Sequence, residues 1–202
     1  CSRKARAGTI QSMNKRAFRH TNIRGKGFTL VELMVTVSIL AILLAIGAPN
    51  LRDFLLKQQV AADADTLSSA FRLARSEALK RGGVVTICPS PDPSADPPAC
   101  VANETTNWST GWLIFVDYPP NASGSTGAYE TVDTLIRVEQ GIRSGQITSS
   151  DSRKSVSFLA SGISSNAAAS YTISSSADAK PLFQQCVTTS KQGRVKSAAG
   201  AC

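Results

Sequence analysis

The apolar and polar positions of this chain form two successive helical patterns. Residues 28–48 are almost wholly apolar, with Glu32 as their one ionisable side chain. As a helix this segment is about 30 Å long, which matches the hydrocarbon core of a membrane. From Leu51 to Ala78, apolar residues recur every three or four positions, which indicates an amphipathic helix. We therefore predict one helix from about Phe28 to Arg81, ended by two glycines.

After Gly83 the pattern changes to short apolar runs separated by Pro, Ser, Asn and Gly, which is typical of β-strands and loops. The predicted strands are Val84–Cys88, Trp112–Val116, Thr134–Val138, Val156–Ala160, Tyr171–Ser175 and Phe183–Thr188. We expect a Pro-rich loop at Pro89–Asn107 and a hairpin tip at Asn121–Gly127. The predicted fold is α+β, with the second half of the helix packed on an antiparallel head of two small sheets. A coiled-coil partner for that helix half is the weaker alternative, because no strict heptad holds.

Charge divides the chain at residue 27. The first 27 residues hold eight of the 22 basic residues and none of the 14 acidic ones, so the remainder is formally neutral. A basic flank before an apolar helix predicts that the leader stays cytoplasmic and the head lies outside. No small-residue cleavage site follows the apolar run, unlike an ordinary secretory signal. Cleavage next to Gly27 would leave the apolar helix on the mature chain.

Glu32 is the unusual residue of the apolar segment. A carboxylate inside a membrane helix costs roughly 3 kcal/mol on insertion scales. Its position near the helix start lowers that cost, because the helix dipole favours an anion there. Glu32 could pair with an N-terminal amine, its own or a neighbour's, and so set the register between packed subunits. The alternative is a carboxylate that extends to the membrane interface.

The run Gly27-Phe28-Thr29-Leu30-Val31-Glu32, followed by a long apolar helix, resembles the class III signal of type IV pilins and type II secretion pseudopilins. The resemblance implies cleavage after Gly27 by a prepilin peptidase, N-methylation of Phe28, and assembly directed by Glu32. Pro49 is similar to the helix-kinking proline of pilins. The expected organisation is a cleaved leader (1–27), a transmembrane helix (28–48), an amphipathic helix (49–83) and a periplasmic head (84–202).

Four cysteines lie in the expected head: Cys88, Cys100, Cys186 and Cys202. In an oxidising compartment they predict disulfides, for which three pairings are possible. Sequence proximity favours Cys88–Cys100 and Cys186–Cys202. A metal site is the weaker alternative, because the only histidine, His20, lies in the leader.

We find no pattern typical of an enzyme. The head lacks histidine, phosphate loops and clustered carboxylates, so we expect no catalytic residue, metal or cofactor. The run Gly111-Trp112-Leu113-Ile114-Phe115-Val116-Asp117 resembles a strand of the FimT/GspH branch of minor pilins and pseudopilins. Its physical interpretation is a core strand with Asp117 capping a turn.

The C-terminal segment is basic and contains no acidic residue. Lys191, Arg194 and Lys196 could contact phosphates without distinguishing base sequence. Arg194 and Lys196, two residues apart, would face the same way on an extended segment. A solvated basic loop or a contact to a neighbouring subunit explains the charge equally simply. The segment also resembles the cysteine-flanked GRxR element of FimT-type minor pilins that bind DNA, with Lys196 in place of the second arginine.

These observations predict a minor pilin of a type IV pilus, near the pilus tip, with a possible role in binding double-stranded DNA for natural transformation. The alternative is a GspH-type minor pseudopilin of a type II secretion system. Expected partners are other pilins or pseudopilins, the prepilin peptidase and the inner membrane.

Overall fold

A computed structural model describes residues 27–103, 107–118, 127–142, 145–165, 168–175 and 183–202. The chain divides into two compact units, which meet in sequence between Ala45 and Ile46. One long helix, α1, runs from Leu30 to Arg81 and contributes to both units. The helix predicted from the sequence is confirmed, with its start two residues later than expected.

Both ends of α1 carry recognisable caps. The Glu32 amide donates to the Thr29 hydroxyl oxygen at 3.2 Å, and the Leu33 amide donates to the Thr29 carbonyl at 3.1 Å. Thr29 is therefore the N-cap, and Glu32 is the third residue after it, where a capping-box sequence has its Glu. At the other end Gly82 adopts φ 65° and donates to the Ala78 carbonyl. This left-handed glycine ends the helix as predicted.

The first unit contains the apolar start of α1. Its large apolar side chains are exposed on every side of the helix, from 51% at Val35 to 75% at Leu30. An 18-residue window of α1 has a mean hydropathy of 2.5, so the helix is long and apolar enough to cross a membrane. A helix apolar all round needs a protein or lipid partner.

In the second unit, the described residues after α1 include eight strands, which form two antiparallel four-stranded sheets. The first sheet has the order β3-β2-β1-β5 and the second has the order β4-β6-β7-β8. The strands are β1 Val84–Pro89, β2 Gly111–Asp117, β3 Thr134–Gln140, β4 Gly145–Ser149, β5 Val156–Phe158, β6 Ala169–Ser175, β7 Gln184–Thr189 and β8 Val195–Ala199. The predicted α+β fold is confirmed, but β4 and β8 were missed.

One face of the second half of α1 packs against both sheets. The buried apolar helix positions are Val60, Ala64, Leu67, Ala70, Phe71, Ala74 and Ala78. Phe71 is central, because its ring lies 5.1 Å from that of Tyr171 and 6.1 Å from that of Trp108. The predicted apolar stripe began earlier, at Leu51, but Leu51, Phe54 and Leu55 are at least half exposed. The packed stripe therefore starts at Val60, where the sheets begin to cover the helix.

Candidate functional site

A β-hairpin at the C-terminus carries the predicted basic residues. Strands β7 and β8 pair antiparallel from Gln185↔Ala199 to Thr189↔Val195. The turn between them is closed by two backbone bonds, from the Ser190 amide to the Arg194 carbonyl and from the Gly193 amide to the Ser190 carbonyl. We call residues 184–199 the cationic hairpin.

Lys191, Arg194 and Lys196 are all exposed on the cationic hairpin. Lys196 lies on the outer face of β8, since its neighbour Val195 packs on the core and strand side chains alternate. Arg194 belongs to the turn that precedes β8. The expectation that Arg194 and Lys196 face the same way therefore stays a prediction, because Arg194 lies directly before β8 and not within it. Over the described residues, no carboxylate forms an ion pair with any of the three cations.

The turn of the cationic hairpin is attached to the rest of the head. The Lys191 carbonyl accepts a hydrogen bond from the Ser164 amide at 2.9 Å. Gly193 has φ 72°, and a Cβ placed there would lie 2.0 Å from the Gly162 carbonyl oxygen and 2.8 Å from Arg75 Nε. Arg75 Nε in turn donates to the Gly162 carbonyl at 2.9 Å. The turn is thus held against α1 by contacts that only glycine permits.

A shallow cavity of about 330 Å³ lies between α1 and this turn. Three arginines line it: Arg72 and Arg75 from the helix and Arg194 from the turn. Leu79 and Val195 provide apolar wall. The sequence analysis missed both helix arginines. Their spacing places them on one helix face, but no sequence signal links them to a residue more than a hundred positions away.

Both disulfides favoured by sequence proximity are present. Cys88 and Cys100 have Cα atoms 5.6 Å apart, and Cys186 and Cys202 have Cα atoms 4.9 Å apart. The second disulfide joins the C-terminus to the middle of β7. The Cys202 amide also lies 3.4 Å from the Thr172 hydroxyl oxygen on β6.

Asp117 ends the buried strand β2, as its interpretation from the sequence proposed, and its carboxylate binds a backbone amide ten residues further along the chain. Its Oδ2 accepts from the Gly127 amide at 3.1 Å and lies 3.0 Å from the Thr86 hydroxyl. Burial raises the pKa of the Asp117 carboxyl, and these hydrogen bonds oppose the rise. The rest of the predicted hairpin tip, residues 121–126, lies outside the described residues.

The predicted processing and assembly residues lie at the N-terminal end of the described chain. Gly27 and Phe28 precede α1, and Phe28 is 78% exposed. Glu32 lies in the first turn of α1 and is exposed. Pro49 lies within α1, which continues on both sides of it.

Comparison with known families decides what class of protein this is. A family model described as Type II transport protein GspH matches residues 63–193, which is more than half of the chain. The chain belongs to the GspH family. A second model, the prokaryotic N-terminal methylation motif, matches residues 24–48 of this GspH-family chain. It is therefore a type IV pilin-like protein of the minor pilin or pseudopilin class.

Individual relatives agree with this assignment. The type IV major fimbrial protein FimA of Dichelobacter nodosus is 31% identical over 61% of this GspH-family chain and 73% of its own length. The fimbrial protein EcpB of Eikenella corrodens is 40% identical, but over 33% of this chain and 42% of its own length. In fold, the chain is similar to the type IV minor pilin FimU of Pseudomonas aeruginosa, with a TM-score of 0.52 and 19% identity. That match covers 73% of this chain and 98% of FimU.

Proposed function

We propose that this GspH-family chain is a minor pilin of a type IV pilus, whose cationic hairpin binds the backbone of double-stranded DNA. The observation that carries the DNA-binding role is the group of three exposed cations, Lys191, Arg194 and Lys196, on a hairpin whose turn is fixed to the head. Among the described residues none of these cations is neutralised by a carboxylate. A polyanion can therefore contact all three without first breaking an internal ion pair.

The N-terminal segment supplies the means of assembly in this proposal. A prepilin peptidase cleaves after Gly27, and the new N-terminal Phe28 is methylated. The apolar start of α1 then holds the chain in the inner membrane as a single span, with the head in the periplasm. The match to the methylation motif over residues 24–48 and the exposed apolar surface of the helix support this proposal. In the assembled pilus, neighbouring pilins replace lipid around the same surface.

Glu32 has a separate role in this proposal, which is to pair with an N-terminal amine during assembly. The helix start is already capped by Thr29, so the Glu32 carboxylate is not needed to begin the helix. Pro49 interrupts the backbone hydrogen bonding of α1 and gives the helix a point at which it bends to fit its neighbours.

The DNA-binding test uses the full chain in detergent micelles and a fluorescent 20-base-pair duplex, with anisotropy measured at several salt concentrations. We expect micromolar affinity at low salt that falls steeply as salt rises. Arg194→Ala with Lys196→Ala should weaken binding at least tenfold. The matched control is Arg52→Ala with Lys154→Ala, which removes the same two charge types from exposed positions elsewhere. No binding by the unmodified chain at low salt would refute the DNA-binding role.

A second experiment tests assembly. Glu32→Ala should leave membrane insertion and leader cleavage intact but remove the chain from sheared pili, as detected by immunoblotting. Glu32→Asp keeps the charge and should retain part of the incorporation. Full incorporation of Glu32→Ala would contradict the pairing role of Glu32.

The second candidate function is that of a minor pseudopilin in a type II secretion system. The description of the matching family model favours it. The DNA-binding role distinguishes the two candidates, since a pseudopilin has no need of a DNA-binding surface. Deletion of the gene should abolish pili or DNA uptake under the first candidate. Under the second, it should instead leave exported proteins in the periplasm.

A further inference from the structure

The cavity beside the cationic hairpin contains two arginines that the hairpin does not supply. We propose that Arg72 and Arg75 of α1 form, with Arg194, a pocket for a phosphate group of the DNA backbone. This extends the contact surface from the hairpin onto the helix. The inference rests on the proposed DNA-binding function and assigns two further binding residues to it.

Arg75 is held in place before any ligand arrives. It is half-buried, and its Nε donates to the Gly162 carbonyl at 2.9 Å. That bond fixes the plane of the guanidinium while its two terminal nitrogens have no partner among the described residues. Those nitrogens are the donors that bind a phosphate in the bidentate manner. Because the side chain is already ordered, binding costs little additional conformational entropy.

Arg72 adds a second cation on the same face of α1, one turn before Arg75. Side chains three residues apart on a helix are neighbours, with Cβ atoms about 5–6 Å apart. Like charges this close repel each other unless an anion lies between them or water screens them. Over the described residues, no carboxylate pairs with either arginine, and Glu77 is occupied by Lys80 and Arg81. An external anion can therefore approach both arginines without displacing an internal carboxylate.

The number of cations favours a phosphate backbone over a single carboxylate as the ligand. Arg72 and Arg75 line the same cavity as Arg194. Lys191 and Lys196 lie with Arg194 on the cationic hairpin. A nucleic acid presents one negative charge per phosphate at a regular repeat, so one strand can engage several of these cations in succession. One carboxylate of a neighbouring subunit would satisfy at most one or two of them. The cavity also offers no aromatic ring to stack a base, which fits backbone contact without sequence preference.

The test measures the salt dependence of DNA binding for single arginine variants of the full chain in detergent micelles. Arg72→Gln removes an exposed charge and no hydrogen bond. We expect it to weaken binding to a 20-base-pair duplex about three- to tenfold and to reduce the salt slope by about 0.9. Arg75→Lys keeps the positive charge but loses the paired guanidinium donors, so we expect weaker binding with little change in the salt slope. The control is Arg52→Gln, on the same helix but about 30 Å away along its axis, which should change neither quantity.

The outcomes separate this inference from the function on which it rests. If the unmodified chain does not bind DNA, both fail together. If Arg194→Gln weakens binding while Arg72→Gln matches the control, the hairpin binds DNA and the helix pocket does not. If Arg72→Gln leaves DNA binding unchanged but lowers incorporation into sheared pili, the pocket receives a carboxylate of a neighbouring subunit, and the phosphate assignment is overturned. Trp fluorescence, which reports on buried Trp108 and Trp112, verifies that each variant is folded.

Discussion

The two disulfide-closed segments of the head use the same covalent bond in opposite settings. Cys88 is fully buried and packs with Leu113 and Phe115 in a second core cluster. Cys202 is exposed, and its partner Cys186 is half-buried on β7. The first disulfide thus closes a loop over apolar core, whereas the second ties a basic chain end to the surface of a sheet.

Hydrogen bonds reinforce the difference. In the first segment, the Ser90 amide donates to the Gly111 carbonyl, the Val101 amide donates to the Pro89 carbonyl, and the Tyr129 amide lies 3.2 Å from Cys100 Sγ. Removing that disulfide would loosen a packed assembly. In the second segment the turn is held independently, by Ser164 and by the contact with Arg75. A disulfide's contribution to stability therefore depends on what its loop packs against, and not on loop length alone.

The largest effect should come from replacing Cys88 and Cys100 together with alanine. The chain-entropy model assigns the lost cross-link about 2.8 kcal/mol, and removing buried sulfur from the core cluster adds a cavity term. We expect a loss of about 4 kcal/mol in the free energy of unfolding. Urea unfolding of the chain in a mild detergent, followed by Trp fluorescence, measures it. A loss no larger than that of the second disulfide would remove the distinction between the segments.

Replacement of Cys186 and Cys202 with alanine should lower the free energy of unfolding by less, although this disulfide closes the longer loop. Loop entropy alone predicts about 3.1 kcal/mol, slightly more than for the first disulfide. Because Cys202 is exposed, no cavity term is added, so we expect at most about 3 kcal/mol. Loop length and burial therefore predict opposite orders for the two double variants, and the same urea titration decides between them. DNA affinity should fall less than threefold, since separate contacts hold the turn.

The sequence was sufficient for the parts of the head that depend on local pattern or proximity. The helix, its glycine stop, six strands and both disulfides could be predicted. Strands β4 and β8 could not, because each has few branched or aromatic residues; β8 reads Val-Lys-Ser-Ala-Ala. Their pairing depends on neighbours already in the sheet. The start of the packed helix face at Val60 was also missed, since exposed and buried apolar residues share the same spacing.

Some residues of the candidate site could be predicted from the sequence and others could not. Lys191, Arg194 and Lys196 stand close together in sequence and were found by charge alone. Arg72 and Arg75 join them only through the tertiary fold, when the turn at Gly193 packs against α1. A search by sequence pattern cannot identify such a pair, because its members are ordinary helix-surface arginines until the hairpin is in place.

Gly193→Ala tests that packing and should have the third largest effect. A Cβ there would be 2.0 Å from the Gly162 carbonyl oxygen, so the turn must move away from α1. Gly82→Ala is the matched control, because Gly82 has a similar φ of 65° but nothing within 4 Å. Both variants should lose about 1 kcal/mol for the left-handed backbone. Only Gly193→Ala should also lower DNA affinity. Equal affinity for the two variants would show that the position of the turn does not matter.

The smallest effect concerns Asp117, whose burial at the end of β2 contrasts with the exposed charges of the cationic hairpin. Burial raises the pKa of this carboxyl above 3.8, so the folded chain holds a proton that the unfolded chain releases over the interval just above that value. Stability should therefore fall as pH rises through this interval. Asp117→Asn, which keeps an acceptor for the Gly127 amide, should flatten that decline when urea unfolding is repeated between pH 3.5 and 7.

Asp63 provides the matched comparison, because burial raises the pKa of its carboxyl as well. Asp63→Asn should also make stability less dependent on pH over this interval. The effects of the two substitutions should add, since Asp63 does not share the Thr86 and Gly127 hydrogen-bond partners of Asp117. If Asp117→Asn made the decline steeper, its hydrogen bonds would outweigh burial, and the buried carboxylate would be stabilising near neutral pH.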